Sequence, residues 1–172
     1  MKKQLILILL LLSSTVTIKA QTRTADEAAI RQTLGAFSNS WNKGDYSDMS
    51  TYMMPDSHWI NVVGMHWRGL KEVEYAHQVF GQTAFKGVQR KEKSVDIRFI
   101  NNDVAIAYWL THVGVFYSPD GVDRGTNKQG DRDNLATVVL VKQKDKWLIS
   151  SVQNSDVVSQ ATASDPVLRM NK

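Results

Sequence analysis

The hydrophobic period changes once along this chain, and that change limits the folds open to it. In the first half, apolar side chains recur at helical spacing. Ile30, Leu34, Phe37 and Trp41 form one stripe, and Leu70, Val73, His77, Phe80 and Ala84 form another. From Val88 onward the period is two. Val95, Ile97 and Phe99 alternate with Ser94, Asp96 and Arg98, as in a strand with one buried face. A chain of 172 residues supplies one ordinary domain. Helices segregated from antiparallel strands predict an α+β fold, in which the helices cover one face of a curved sheet.

Local signals divide the chain further. Thr24-Ala25-Asp26-Glu27 matches a capping box, so the first helix is expected to open at Thr24 and to stop at Gly44. Asp45 caps a short second helix running towards Met53, ended by Pro55. His58 to Val63 reads as a strand, Gly64 as a turn and His66 to Arg68 as a returning strand. Gly69 leads into a third helix. Four strands follow in meander: Val95 to Phe99, Val104 to Tyr117, Leu135 to Val141 and Trp147 to Asn154. Leu135 to Val141 is apolar on both faces, so both are expected to be covered, the outer one by a second copy of the chain. Ser118 to Asp131 is a polar hairpin loop, and the tail at 159–172 is expected to be loose. The whole predicts a curved antiparallel sheet with three N-terminal helices packed on it, forming a cone whose open end is a pocket.

Residues 1–20 read as a signal peptide. Lys2 and Lys3 precede an unbroken apolar run from Leu5 to Leu12, and Ala20 stands just before the expected cut. The run is shorter than the ~20 residues a membrane span needs. The mature protein is therefore expected to be exported, periplasmic or secreted, with no membrane association after cleavage. The domain then occupies residues 21–158. Of the 21 Lys and Arg, three lie in the leader, which leaves 18 against 17 acids. So small an excess argues against nucleic acid as a partner, since that needs a basic face. There is no cysteine, which excludes disulfides and thiolate chemistry.

Several stretches resemble the nuclear transport factor two-like cone superfamily, which includes ketosteroid isomerases, scytalone dehydratase and SnoaL-like polyketide cyclases. They are Ala36-Phe37-Ser38-Asn39-Ser40-Trp41-Asn42-Lys43-Gly44-Asp45, Asp56 to Gly64, Trp67-Arg68-Gly69, His77, and Trp147-Leu148-Ile149 leading to Gln153-Asn154. Within the superfamily the chain is most similar to the SgcJ/EcaC group. That resemblance covers about residues 25–157. Members of the group often carry an oxidoreductase label, but no glycine-rich dinucleotide fingerprint stands in this sequence, and no cofactor is expected.

The candidate site residues follow from chemistry and parity. His77 sits on the apolar face of its helix, where it is either a proton-transfer group or a core histidine bonded to a backbone carbonyl. His66, His58 and His112 lie on strands that can converge on a pocket. No histidine pair has metal-ligand spacing, so no metal is expected. The resemblance implies an acidic residue in the cone, for which Asp56 is the candidate. Asn61 can orient a carbonyl oxygen, and Trp59, Trp67 and Trp109 either line an apolar pocket or fill the core. One of Gln153 and Asn154 must face inward. Arg132 is a candidate anion holder or a solvated loop residue. Two functions stand side by side. One is an enzyme doing acid–base chemistry on a mostly apolar carbonyl compound, as an isomerase, dehydratase or cyclase would. The other is a non-catalytic ligand-binding or dimerisation module of the same fold. The expected partners are a small-molecule ligand and a second copy of the chain.

Overall fold

The computed structural model describes the backbone of residues 2–170 and the side chains of 23–170 except that of Thr162. Its elements run α1 (Lys2–Lys43), a 3-10 turn (Met49–Thr51), β1 (Met53–Ile60), β2 (His66–Arg68), α2 (Gly69–Gln82), β3 (Arg90–Phe99), β4 (Val104–Val113), β5 (Phe116–Tyr117), β6 (Lys128–Gln129), β7 (Arg132–Gln143), β8 (Lys146–Asp156), α3 (Ser159–Thr162) and a second 3-10 turn (Pro166–Arg169). Six strands form one sheet in the order β2-β1-β8-β7-β4-β3, and β5 and β6 pair separately as a small flap. The α+β class holds.

The register departs from the expected antiparallel sheet at one point. The strands β3, β4, β7 and β8 form the meander, but β1 runs parallel to β8, so the sheet is mixed. The second helix is reduced to the 3-10 turn, and Pro55 lies inside β1 rather than ending a helix. It is tolerated there because the β1–β8 register is irregular between Met53 and His58. Nor does Thr24 cap α1. No Gly or Pro interrupts the chain before Gly35, so the helix continues through it. The expected leader falls on residues whose side chains lie outside those described. At the other end Gly44 does close the helix. Its φ is +69°, and the amides of Gly44 and Asp45 return to the carbonyls of Trp41 and Ser40. The tail, expected to be loose, forms α3 and the second 3-10 turn, and no buried residue anchors that turn.

The core fills the space between α1, α2 and the concave face of the sheet. Ile30, Leu34 and Phe37 of α1 meet Ala105, Ala107 and Trp109 of β4 and Ala136, Val138 and Leu140 of β7. On the opposite sheet face Leu135 and Tyr108 are exposed, so the described chain covers only one side of the doubly apolar strand. Asp26 fastens the far end of α1 to the sheet. Its carboxylate accepts hydrogen bonds from Lys142 Nζ at 2.7 Å and Trp147 Nε1 at 2.9 Å. Burial by itself would raise this carboxyl, but the two donors together hold it below its ordinary 3.8. Asp26→Asn is therefore expected to lose about 2 kcal/mol near pH 7, the usual worth of hydrogen bonds to a charged group. The contribution of a depressed carboxyl is present above its unfolded value and fades as pH falls through the folded one. Urea melts of wild type and variant are expected to differ near neutrality and to converge towards pH ~3.

Candidate functional site

A cavity of about 360 Å³ opens between α1, α2, the β1–β2 hairpin and the flap. Its wall is mostly aromatic: Trp41, Trp59, Trp67, Phe80, Phe85 and Phe116. The flap closes one side, and glycine makes that closure possible. Gly130 has φ +77°, and a Cβ there would overlap the Gly114 carbonyl and crowd Phe116. A second, shallow hollow over Leu70, Lys71 and Tyr75 carries no histidine.

His77 lies in the cavity wall and is only 5% exposed. Its Nδ1 is 2.8 Å from the Val73 carbonyl, one helical turn back on α2. A carbonyl only accepts, so Nδ1 carries the proton and Nε2 keeps the lone pair. Nε2 has no hydrogen-bond partner among the described residues. The ring is held edge-on to Phe37, Trp59 and Trp67, with centroids 5.3, 4.5 and 5.2 Å away. Burial pushes His77 down to about 4. The Val73 hydrogen bond opposes this, and the nearby Arg90 charge adds to it. The imidazole is thus neutral near pH 7, with a free basic nitrogen in an apolar wall.

Arg90 is the second polar feature and equally buried at 5% exposure. Its guanidinium lies 3.9 Å from the Trp109 ring centroid and 5.1 Å from that of Phe37. Nε donates to Thr111 Oγ1 at 3.2 Å. Asn42, at the end of α1, holds the Arg90 backbone in both directions. Its Oδ1 accepts from the Arg90 amide at 2.8 Å and its Nδ2 donates to the Arg90 carbonyl at 3.1 Å. Burial lowers the guanidinium to about 9, against the opposing pull of Tyr46 and Glu92, so it stays charged at neutral pH. Tyr46, Asn134 and Asn154 also border the cavity. Burial pushes the Tyr46 phenol up, so it is a neutral donor. The buried Oδ1 of Asn154 has no hydrogen-bond partner.

The family profile for SnoaL-like domains matches residues 30–159. The chain belongs to the SnoaL-like domain family. An uncharacterised protein with a cystatin-like fold from Caulobacter vibrioides is 29% identical over 84% of this chain and 98% of its own, with a TM-score of 0.77. A protein from Novosphingobium aromaticivorans with a provisional scytalone dehydratase assignment shares the fold at 11% identity, covering 81% and 89% of the two chains with a TM-score of 0.64. A hexachlorocyclohexane dehydrochlorinase, LinA type 2, does so at 14% identity over 80% and 88%, with a TM-score of 0.59. No curated protein matches the sequence.

In this SnoaL-like chain the sequence candidates divide by sheet face. His77, Trp59, Asn61, Trp67 and Asn154 border the cavity. Asn61 also holds the β1–β2 turn, because its Oδ1 accepts from the Val63 and Met65 amides. Trp109 stands behind the wall as the platform for Arg90. Asp56, His58, His66, His112 and Gln153 do not border the cavity. His58 and His66 alternate with the inward Trp59 and Trp67, and pair with each other at 2.9 Å. His112 lies among Asp131 and Asp133. Arg132 reaches the rim, where it pairs with Asp156. Among the described residues no three His, Cys, Asp or Glu side chains gather as a metal site.

Arg90 escaped the sequence reading because of parity. Counting back by twos from Phe99, Ile97 and Val95 puts Lys93 and Lys91 inward and Arg90 outward. A one-residue slip between Glu92 and Ser94 reverses this and turns Arg90 inward. A similar slip opposite Val139 and Leu140 lies between Ile149 and Ser151, so Val152 and Asn154 face inward instead of Gln153. For His77 the depressed value has a stability consequence. Above the ordinary 6.5 it is neutral folded or unfolded. Below that, the unfolded chain takes up a proton that the folded ring refuses until about 4. Wild-type stability is expected to fall across that window. His77→Gln is expected to lack this component in urea melts taken at several pH values.

Proposed function

We propose that the cavity binds a mostly apolar small molecule bearing a carbonyl group and that His77 moves a proton on it, as in an isomerase, dehydratase or cyclase. One observation carries this reading: the Val73 carbonyl accepts a hydrogen bond from Nδ1–H, which leaves Nε2 as the lone-pair nitrogen, with no partner among the described residues, in an aromatic wall. Nε2 removes a proton from carbon beside the carbonyl, and negative charge develops on the carbonyl oxygen. The neutral hydroxyl of Tyr46, which borders the cavity, stabilises that oxygen. The free enzyme resists an imidazolium because of burial and Arg90. The enolate formed in the same step supplies the compensating charge. Fold neighbours named as a dehydratase and a dehydrochlorinase support the reading. The SgcJ/EcaC subgroup belongs to the same proposal, on the segments that resemble it.

The test is solvent-deuterium exchange into aryl ketones bearing α-hydrogens, followed by proton NMR. Wild type is expected to catalyse exchange, and His77→Gln to lose roughly 10²-fold or more, the usual worth of a general base. A folded variant that exchanges as fast as wild type would overturn His77 as the base, and a wild type no faster than buffer would overturn the enzyme reading and leave a ligand-binding module.

Export and pairing complete the proposal. The exposed Leu135 and Tyr108 lie with half-buried Leu110 and Val139 on the uncovered sheet face, an apolar patch suited to a second copy. Native mass spectrometry of protein recovered outside the cytoplasm is expected to give a dimer of chains beginning near Gln21. Monomers, or chains retaining Met1, would count against the respective part.

A further inference from the structure

Arg90 is a buried cation with no ion-pair partner among the described residues. The ion pairs among the described residues join other groups. The rim carboxylate of Asp156 is engaged by Arg132. Glu92, close enough for its charge to act on Arg90, instead accepts from Trp109 Nε1 at 2.9 Å. One side-chain hydrogen bond, from Nε, is all the guanidinium makes; Nη1 and Nη2 have no partner among the described residues. An uncompensated buried charge is strongly unfavourable, and the aromatic faces around it offset only part of that. The β3 slip turns the Arg90 side chain inward, and the Thr111 hydroxyl and the Trp109 and Phe37 rings hold its guanidinium there.

We propose that the cavity is built for a planar, largely apolar carboxylate, whose anionic end pairs with Nη1 and Nη2 of Arg90. This deepens the reading above and rests on the cavity being a ligand site. The guanidinium fork matches a carboxylate in two parallel hydrogen bonds. One guanidinium balances one negative charge. His77 is neutral and adds none, and Arg132 at the rim is already paired with Asp156, which favours a carboxylate over a phosphate dianion. Flat aromatic walls at Trp41, Trp59, Trp67 and Phe116 suit a planar body, and about 360 Å³ lies in the range of small-molecule sites. The anion also has an effect on His77. Neutralising Arg90 removes its repulsion of an imidazolium, so ligand binding raises the basicity of Nε2.

The experiment compares 2-naphthoate with its neutral counterpart 2-naphthamide by isothermal titration near pH 7. Wild type is expected to bind the acid at least tenfold more tightly than the amide. Arg90→Met is expected to lose that preference, and Arg90→Lys to keep part of it. The wild-type comparison and the lysine variant decide the matter should Arg90→Met fail to fold. Equal affinity for acid and amide overturns the carboxylate site while leaving a ligand cavity. A preference that survives in folded Arg90→Met also overturns it. Binding of neither compound overturns both the carboxylate site and the ligand cavity. His77→Gln separates the two readings: it is expected to keep the preference for naphthoate while losing proton transfer.

Discussion

Phe37 is the ring on which the rest of the site is assembled. It is fully buried on α1, stacks on Trp59 with centroids 4.9 Å apart, and meets Trp109 and His77 edge-on. It also lies against Tyr46, Tyr52 and the Arg90 guanidinium. These partners come from β1, β4, α2, β3 and the loop after α1. A single aromatic side chain therefore sets the spacing between the helices and the sheet. Its contacts are geometric as well as apolar, because offset and edge-on rings resist sliding in a way that aliphatic packing does not. The cavity begins where this cluster stops, so its inner wall inherits the rigidity of the core.

Two buried basic groups stand in that wall, and the charge of one acts on the other. His77 is kept neutral by burial and by the charge of Arg90, while Arg90 keeps its charge although it has no ion-pair partner among the described residues. The pair thus offers a lone pair and a positive field within one apolar enclosure. In water the two would be screened from each other. In the cavity wall the same arrangement has a large effect on whatever proton or negative charge enters. The hydrogen bond to Val73 matters because it fixes which ring nitrogen is free.

Much of the architecture was legible in the order of periodicities. The helical stripe at Ile30, Leu34 and Phe37 is the buried face of α1, and Gly44 ends it by adopting a positive φ. The β1–β2 hairpin, the turn at Gly64 and the start of α2 at Gly69 also follow from local signals. His77 was legible as an inward residue because a helix has one period and no way to slip. Pro55 misled, since a proline reads as a stop only until an irregular strand register is found to accommodate it.

The sequence by itself determined the class of fold, the buried stripe of α1 and the inward direction of His77, because these depend on residues close together in the chain. Only the tertiary structure decided which strand residues face the cavity. Arg90 and Asn154 point inward, and Gln153 does not, because β3 and β8 each slip by one residue against their neighbours. The parallel pairing of β1 with β8 belongs to the same category. Strand parity is a property of pairing rather than of composition. One unpaired residue reverses it for every position beyond, and the energy that selects the slip comes from distant partners such as Asn42, Thr111 and Trp109.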